Sequence, residues 1–286
     1  MHMRRIGNVQ VSAIGLGGMP MSIEGRPDER RSIATIHAGL DAGVTLIDTA
    51  DAYHLTAHDV GHNETLIARA LAAYPGDTSE VLIATKGGHL RPGDGSWTLN
   101  GAPEYLKRAC EASLKRLGVN SIGLYQFHRP DPKVPYAESI GAIRDLLDAG
   151  KIRLAGISNA NPDQIQVANQ ILDGRLASVQ NQFSPAFRSS EPELDLCAEL
   201  GIAFLPWSPL GGISRAADLG SRFRAFADVA RGHSVSPQRV SLAWMLAKAP
   251  VVIPIPGSTR PETLRDSVAA VNLQLPGADL ARLDAA

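Results

Sequence analysis

Apolar positions along the chain fall into two alternating patterns. Short runs rich in Val, Ile and Leu occur near 13–17, 44–49, 81–85, 121–127, 154–158, 177–182, 202–207 and 251–255, the signature of buried strands. Between them, apolar residues recur at three- and four-residue spacing, as in Ile33, Ile36, Leu40 and in Leu106, Cys110, Leu114, Leu117. That period predicts amphipathic helices over 28–42, 63–73, 103–117, 137–149, 162–173, 190–200, 236–248 and 261–270. Asp28, Asn63, Asn161 and Ser236 stand where N-caps belong, and Pro103, Pro162 and Pro237 at first helical positions. Gly43, Gly118, Gly150, Gly174 and Gly201 stand where left-handed C-terminal residues belong. Ahead of this rhythm, Arg5 to Ser12 alternates around Gly7-Asn8 and reads as a hairpin. Pro276 to Ala286 reads as a short terminal helix, laid across the end of the fold.

Strands alternating with helices eight times have two solutions, a doubly wound open sheet or a closed (β/α)8 barrel. The count, and the spread of chemically active residues over several strand ends, favour an α/β fold of the TIM-barrel type with an N-terminal β-hairpin and a C-terminal helix or tail. No linker or low-complexity tract interrupts residues 1–286, so one barrel domain is expected. The longer connections, 51–62, 87–102, 183–190 and 208–235, then fall on the face where barrels carry their sites. The Gly211-Gly212 turn argues against a large lid in the last of these.

Composition narrows the function by exclusion. Twenty-eight Lys and Arg against 29 Asp and Glu give a net charge of −1, with no global field to attract nucleic acid or an anionic membrane. No apolar run approaches the roughly 20 residues of a membrane span. Met-His-Met-Arg-Arg leads into a polar turn without a signal-peptide core, and Cys110 and Cys197 lie far apart on amphipathic helices. A cytoplasmic protein with reduced cysteines and no obligate protein partner is expected.

The chemistry sits at strand ends. Thr45-Leu-Ile-Asp48-Thr-Ala-Asp-Ala-Tyr53 delivers a carboxylate and a phenol, Val81-Leu-Ile-Ala-Thr-Lys86 an amine, and Ile122-Gly-Leu-Tyr-Gln-Phe-His128 an imidazole. Alone, each has a structural explanation: a backbone acceptor, a surface lysine, an amphipathic packing residue, a satisfied core histidine. Together at one end of parallel strands they would be too costly to bury except as a paired functional site. Lys86, kept charged by Asp48, would lower the pKa of Tyr53 so that it can donate a proton. His128 would orient the substrate oxygen. That set suits reduction of a carbonyl, with the hydride coming from a cofactor.

These segments resemble the aldo-keto reductase superfamily over nearly the whole length. The matching motifs are Ile14-Gly-Leu-Gly-Gly-Met19, Leu46 to Tyr53 followed by Gly61-His-Asn-Glu64, Ala84-Thr-Lys86 and Tyr125-Gln-Phe-His128. Gly150-Lys-Ile-Arg-Leu-Ala-Gly-Ile-Ser-Asn159, Val179-Gln-Asn-Gln182 and Pro206-Trp-Ser-Pro-Leu-Gly211 continue the match. The resemblance implies a TIM barrel, NADP(H), and a catalytic tetrad of Asp48, Tyr53, Lys86 and His128 with Tyr53 as general acid. It places Ser158, Asn159 and Gln180 at the nicotinamide carboxamide and Trp207, where the family usually has tyrosine, against its ring. Ser208 and Leu210 follow as cofactor contacts. Gly257, Ser258, Thr259 and Arg260 would hold the 2′-phosphate at a helix start, and Asp266 would lie at the adenine. Asp266, Ser267 and Thr263 depart from the usual residues there, so tolerance of NAD(H) beside NADP(H) is expected.

Met19, Met21, His54, Trp97, Phe187 and Arg188 are the candidate substrate contacts, suiting a small-molecule carbonyl with an apolar or aromatic body. Gln180 to Arg188, with Pro209-Leu-Gly-Gly212, resembles the branch containing bacterial pyridoxal reductases. His54, His58 and His62 have helical metal-ligand spacing, but Gly61 and the loop setting favour a polar loop, and no metal is expected. Gly15-Leu-Gly-Gly18 lacks the third glycine of a dinucleotide fingerprint. The alternative from another class is a nucleotide-sensing protein on the same scaffold, akin to ion-channel β-subunits, with slow or no turnover.

Overall fold

The computed structural model describes residues 2–286. Seven parallel strands form one curled sheet: β3 (Leu16–Gly17), β4 (Leu46–Asp48), β5 (Leu82–Gly87), β8 (Ile122–Phe127), β9 (Ile152–Ser158), β10 (Leu176–Gln180) and β11 (Ala203–Phe204). Their spatial order is β11-β10-β9-β8-β5-β4-β3, so successive strands of the barrel are neighbours throughout. The hairpin is β1 (Met3–Ile6) and β2 (Val9–Ser12), with Gly7 at φ 56° supplying the left-handed position its two-residue turn needs.

The eighth apolar run closes the barrel without becoming a ladder strand. Ile253 N–H donates to Phe204 O at 2.8 Å, while Gly15 and Gly17 N–H donate to Pro254 O and Pro256 O at 2.9 and 3.0 Å. Pro254 and Pro256 can accept from the β3 side but have no N–H to return. Pairing on that edge is therefore one-directional, and only isolated bridges such as Gly17–Gly257 and Phe204–Val252 remain.

The helices are α1 (Glu29–Asp41), α2 (His62–Ala72), α3 (Pro103–Leu117), α4 (Tyr136–Asp148), α5 (Pro162–Ile171), α6 (Glu191–Leu200), α7 (Leu219–Arg222), α8 (Arg224–His233), α9 (Pro237–Lys248), α10 (Pro261–Val268) and α11 (Gly277–Asp284). Asp28, Asn161 and Ser236 cap as expected, each accepting from a backbone N–H three residues on. Asn63 does not cap. It lies inside α2, whose N-cap is Gly61 at φ 76°, and its buried amide ties two loops together. Nδ2 donates to Gly18 O and Ser22 Oγ, and Oδ1 accepts from Thr49 Oγ1 at 2.6 Å.

Two connections carry structure that periodicity did not disclose. The 87–102 segment contains the small hairpin β6 (His89–Leu90) and β7 (Thr98–Leu99), and 208–235 contains α7 and α8. Strands of two residues and a four-residue helix are too short to show a period, and tertiary contacts decide them. α11 packs beside α8 and α9 instead of crossing the barrel: Trp244 Nε1 and Lys248 Nζ donate to Asp284 Oδ1, each at 2.7 Å. The opposite end is plugged by the hairpin, whose Ile6 and Val11 join Leu46, Leu82, Leu124, Leu154, Leu205 and Ile253 in the barrel interior. Arg4 fastens it, donating to Leu246 O and Ala249 O at the end of α9. With that end filled among the described residues, the interior opens on the face bearing the carboxyl ends of the strands.

Candidate active site

Strand register sets the floor of this cavity. Asp48 is the last residue of β4, Lys86 is the penultimate residue of β5 and pairs with Gln126 of β8, and Gln180 ends β10 opposite Ser158. The segment between Asp48 and Tyr53 is pinned by several backbone hydrogen bonds. Thr49 N–H donates to Ala84 O, Tyr53 N–H to Ala50 O, and Asn63 N–H, one of the unpaired donors at the start of α2, to Tyr53 O. Gly156 gives the floor its room: a Cβ there would fall 2.3 Å from Ser178 Oγ and 2.8 Å from Gln126 Cγ.

Lys86 is fully buried and its ammonium meets three oxygens. Nζ donates to Asp48 Oδ1 at 2.7 Å, to Thr49 O at 2.8 Å and to Tyr53 OH at 3.3 Å. The other carboxylate oxygen of Asp48 accepts from Gln180 Nε2 at 2.8 Å and from Gln126 Nε2 at 3.5 Å. The His128 ring stands edge-on to the Tyr53 ring, centroids 5.9 Å apart, and its backbone N–H donates to Gly87 O. All four members of the expected tetrad thus meet at the base of one cavity.

Electrostatics assign their states. Burial pulls the Lys86 ammonium down, but Asp48 and Tyr53 outweigh it and leave the group above its ordinary value, hence charged. Burial raises the Tyr53 phenol, with the Lys86 ammonium pulling the other way. The net rise reverses the direction read from the sequence, because losing the hydration of a buried phenolate outweighs one cation already shared with Asp48. Burial, with Lys86, His89 and Arg129 adding to it, holds His128 well below its ordinary value, so its imidazole is neutral at neutral pH.

The cavity above this floor measures about 360 Å³ and includes Gly17, Met19, Trp97, Ser158, Asn159, Gln180, Trp207, Ser208, Leu210 and Gly257 in its lining. Met19 and Trp97, two of the expected substrate contacts, are thus among the residues lining the cavity. His54 and Phe187 do not line it: the His54 ring is buried on Thr56 O at 2.7 Å, and Phe187 pairs its backbone with Ser184. Met21 is in the core, and Arg188 donates to Leu283 O and Asp284 O beside α11. Ser258, Thr259 and Arg260 lie past the cavity at the start of α10. Ser258 Oγ there bonds Arg260 O and Thr263 Oγ1, while Asp266 bonds Arg239 and Ser236. The cavity also has lining that the sequence reading missed: His89, Arg129, Ile213 and Ala216. Arg129 directly follows His128, so adjacency was available as a signal; His89 needed the unforeseen β6–β7 hairpin.

Polar atoms left unmatched mark where a ligand fits. Trp207 Nε1 and His128 Nδ1 are buried without a hydrogen-bond partner. Asn159 sits at φ 56°, a left-handed conformation that asparagine tolerates best among residues with a side chain. Its Nδ2 donates to His128 O at 3.0 Å and Ser158 Oγ at 2.9 Å. Ser158 Oγ in turn donates to Gln180 O. Ser158, Asn159 and Trp207 line one cavity, a combination of hydroxyl, amide and flat indole that suits a planar amide-bearing ring. No group of three or more His, Cys, Asp or Glu is placed to hold an ion among the described residues. No helix there is long and apolar enough to cross a membrane.

Comparison with known proteins agrees with this geometry. The sequence profile of the Aldo/keto reductase family matches residues 13–286. An uncharacterized oxidoreductase of Schizosaccharomyces pombe is 35% identical over 284 residues, covering 98% of this chain and 88% of that protein. A 6-dehydroglucose reductase of Novosphingobium aromaticivorans is 34% identical over 283 residues, covering 95% and 90%. Among solved structures, an aldo/keto reductase from Klebsiella pneumoniae in complex with NADP and acetate superposes with a TM-score of 0.82 at 27% identity, covering 98% of this chain and 93% of that one.

Proposed function

The chain belongs to the aldo/keto reductase family, and from that premise we propose that it is an NADPH-dependent reductase converting an aldehyde or ketone to the alcohol. The observation that carries the reading is the Lys86 ammonium, held by Asp48 at 2.7 Å and placed 3.3 Å from Tyr53 OH at the base of the cavity. Trp207 would stack against the nicotinamide, and Ser158 and Asn159 would meet its carboxamide, as their unmatched or cavity-facing polar atoms suggest. When bound, the reduced nicotinamide supplies the hydride for the carbonyl carbon.

The protein's own part is proton supply and charge stabilisation. Tyr53, its phenol raised by burial, keeps its proton at neutral pH and gives it to the carbonyl oxygen as negative charge builds there. Lys86 then faces the phenolate and stabilises it, and Asp48 keeps Lys86 charged. Neutral His128 borders the same space and orients the oxygen from the other side. The walls are largely apolar, so bound cofactor and substrate would leave these groups in a low-dielectric space that strengthens each interaction.

Oxidation of NADPH against a panel of aliphatic and aromatic aldehydes, followed by the loss of absorbance of the reduced nicotinamide, tests the reading. The wild-type protein should turn over and Tyr53→Phe should lose at least about a hundredfold in turnover, with NADPH affinity near wild type. Tight NADPH binding with no turnover of any carbonyl would instead favour a nucleotide-sensing protein.

A further inference from the structure

Among the described residues, Arg129 is the one charged group in the cavity lining that no opposite charge answers. Of the acidic and basic side chains there, Asp48 is matched by Lys86, and burial keeps His128 and His89 neutral, His89 with a pKa of about 4. The acid nearest in sequence to Arg129 is turned away: Asp131 accepts from Gly101 N–H at 3.0 Å and Lys133 N–H at 2.9 Å. No carboxylate lies within ion-pair distance of Arg129 among the described residues. Its guanidinium makes a single hydrogen bond, Nη2 to Asn159 Oδ1 at 3.1 Å, and Nε is buried with no acceptor. Burial pulls its pKa down from the ordinary arginine value.

A half-buried arginine with one hydrogen bond and a buried, unpartnered Nε gains from a ligand that completes its hydrogen bonding. Asn159 fixes one edge of the guanidinium and leaves Nη1 and the remaining Nη2 hydrogen as a planar fork. That fork matches two oxygens of one anionic group. Around it stand Trp97 and His89, their rings tilted against each other with centroids 4.6 Å apart, and the His128 ring edge-on to His89 at 4.9 Å, so the subsite pairs one cation with aromatic walls. We propose that Arg129 is a specificity-determining residue, and that the preferred substrate carries a carboxylate or phosphate beside its carbonyl-bearing body. The inference rests on the reductase reading above and narrows its substrate class.

The test compares matched pairs on the NADPH-loaded protein: 4-carboxybenzaldehyde against benzaldehyde for the carboxylate, and glyceraldehyde 3-phosphate against glyceraldehyde for the phosphate. The wild-type protein should favour the anionic member of at least one pair, and the better pair identifies the anion. In Arg129→Met that preference should fall by roughly tenfold to a hundredfold, mostly through KM, the loss expected for one charge-assisted bidentate contact. Arg129→Lys should recover part of it. The ratio is read within each variant, so a general loss from a disturbed Asn159 cancels. An unchanged ratio accompanied by weaker NADPH binding would assign Arg129 to the cofactor and overturn the proposal. Equal use of both members by the wild-type protein would overturn it too, leaving the reductase reading intact. If no carbonyl is reduced, the reductase reading falls, and calorimetric binding of benzoate against benzyl alcohol decides the subsite: benzoate binding lost in Arg129→Met supports it, and no benzoate binding overturns it.

Discussion

Gln180 Nε2 donates to Asp48 Oδ2 at 2.8 Å, joining two strand ends 132 residues apart. The family resemblance points Gln180 at the cofactor, yet in the structure its amide completes the carboxylate that holds Lys86. The residue thus links Ser158, on the side of the cavity proposed for the nicotinamide, to the Asp48–Lys86 pair.

Gln180→Leu is expected to lower turnover by about tenfold, the loss of one hydrogen bond to a charged group. Asp48 Oδ2 would keep only the long contact from Gln126 at 3.5 Å. Steady-state kinetics beside NADPH titration check this: wild-type values for both would remove the proposed link.

Lys86→Met should destabilise the fold by about 3–5 kcal/mol, because it leaves the buried Asp48 carboxylate without its cation. Adding Asp48→Asn should restore part of the stability while activity stays lost. Urea unfolding of the four proteins in the cycle gives the coupling, and strictly additive losses would mean that the pair is not coupled.

Asp51 provides a pH-dependent stability test outside the tetrad. Burial first, then the Glu64 carboxylate, raise its pKa from 3.8 to about 8, and Oδ1 has no partner. The unfolded chain releases this proton near 3.8 and the folded chain only near 8, so the folded state carries the extra proton between them. Stability from this group is therefore complete below the lower value and is lost as pH rises through the upper one. Asp51→Asn, which can still accept from Tyr105 OH, should melt progressively higher than wild type as pH goes from 5 to about 8. Thermal melts showing a pH-independent gap would count against it.

Cys110 and Cys197 are fully buried, and burial pushes both thiols up to about 12. Neither should react with iodoacetamide in the folded protein near neutral pH, and both should react in denaturant. Mass spectrometry before and after unfolding reads this directly.

The alternation of strands and helices, most helix limits, and the four groups proposed as the tetrad were all legible along the chain. These depend on interactions local to a segment: the apolar period, the caps at Asp28, Asn161 and Ser236, and left-handed glycines such as Gly118 at φ 68°. Motifs at the ends of β4, β5 and β8 carried the tetrad in the same way. Tertiary structure alone decided that Asn63 ties loops instead of capping α2, and that Pro254 and Pro256 close the barrel through carbonyls only. It also decided that His54 and Phe187 stay out of the cavity while His89 and Arg129 enter it. A strand end fixes where a side chain starts, but its charge state and partners depend on groups brought in from other strands. That is why the sequence could name Tyr53 and Lys86, and why only the packed barrel shows burial outweighing Lys86 in the Tyr53 phenol and leaves Arg129 without a counter-charge.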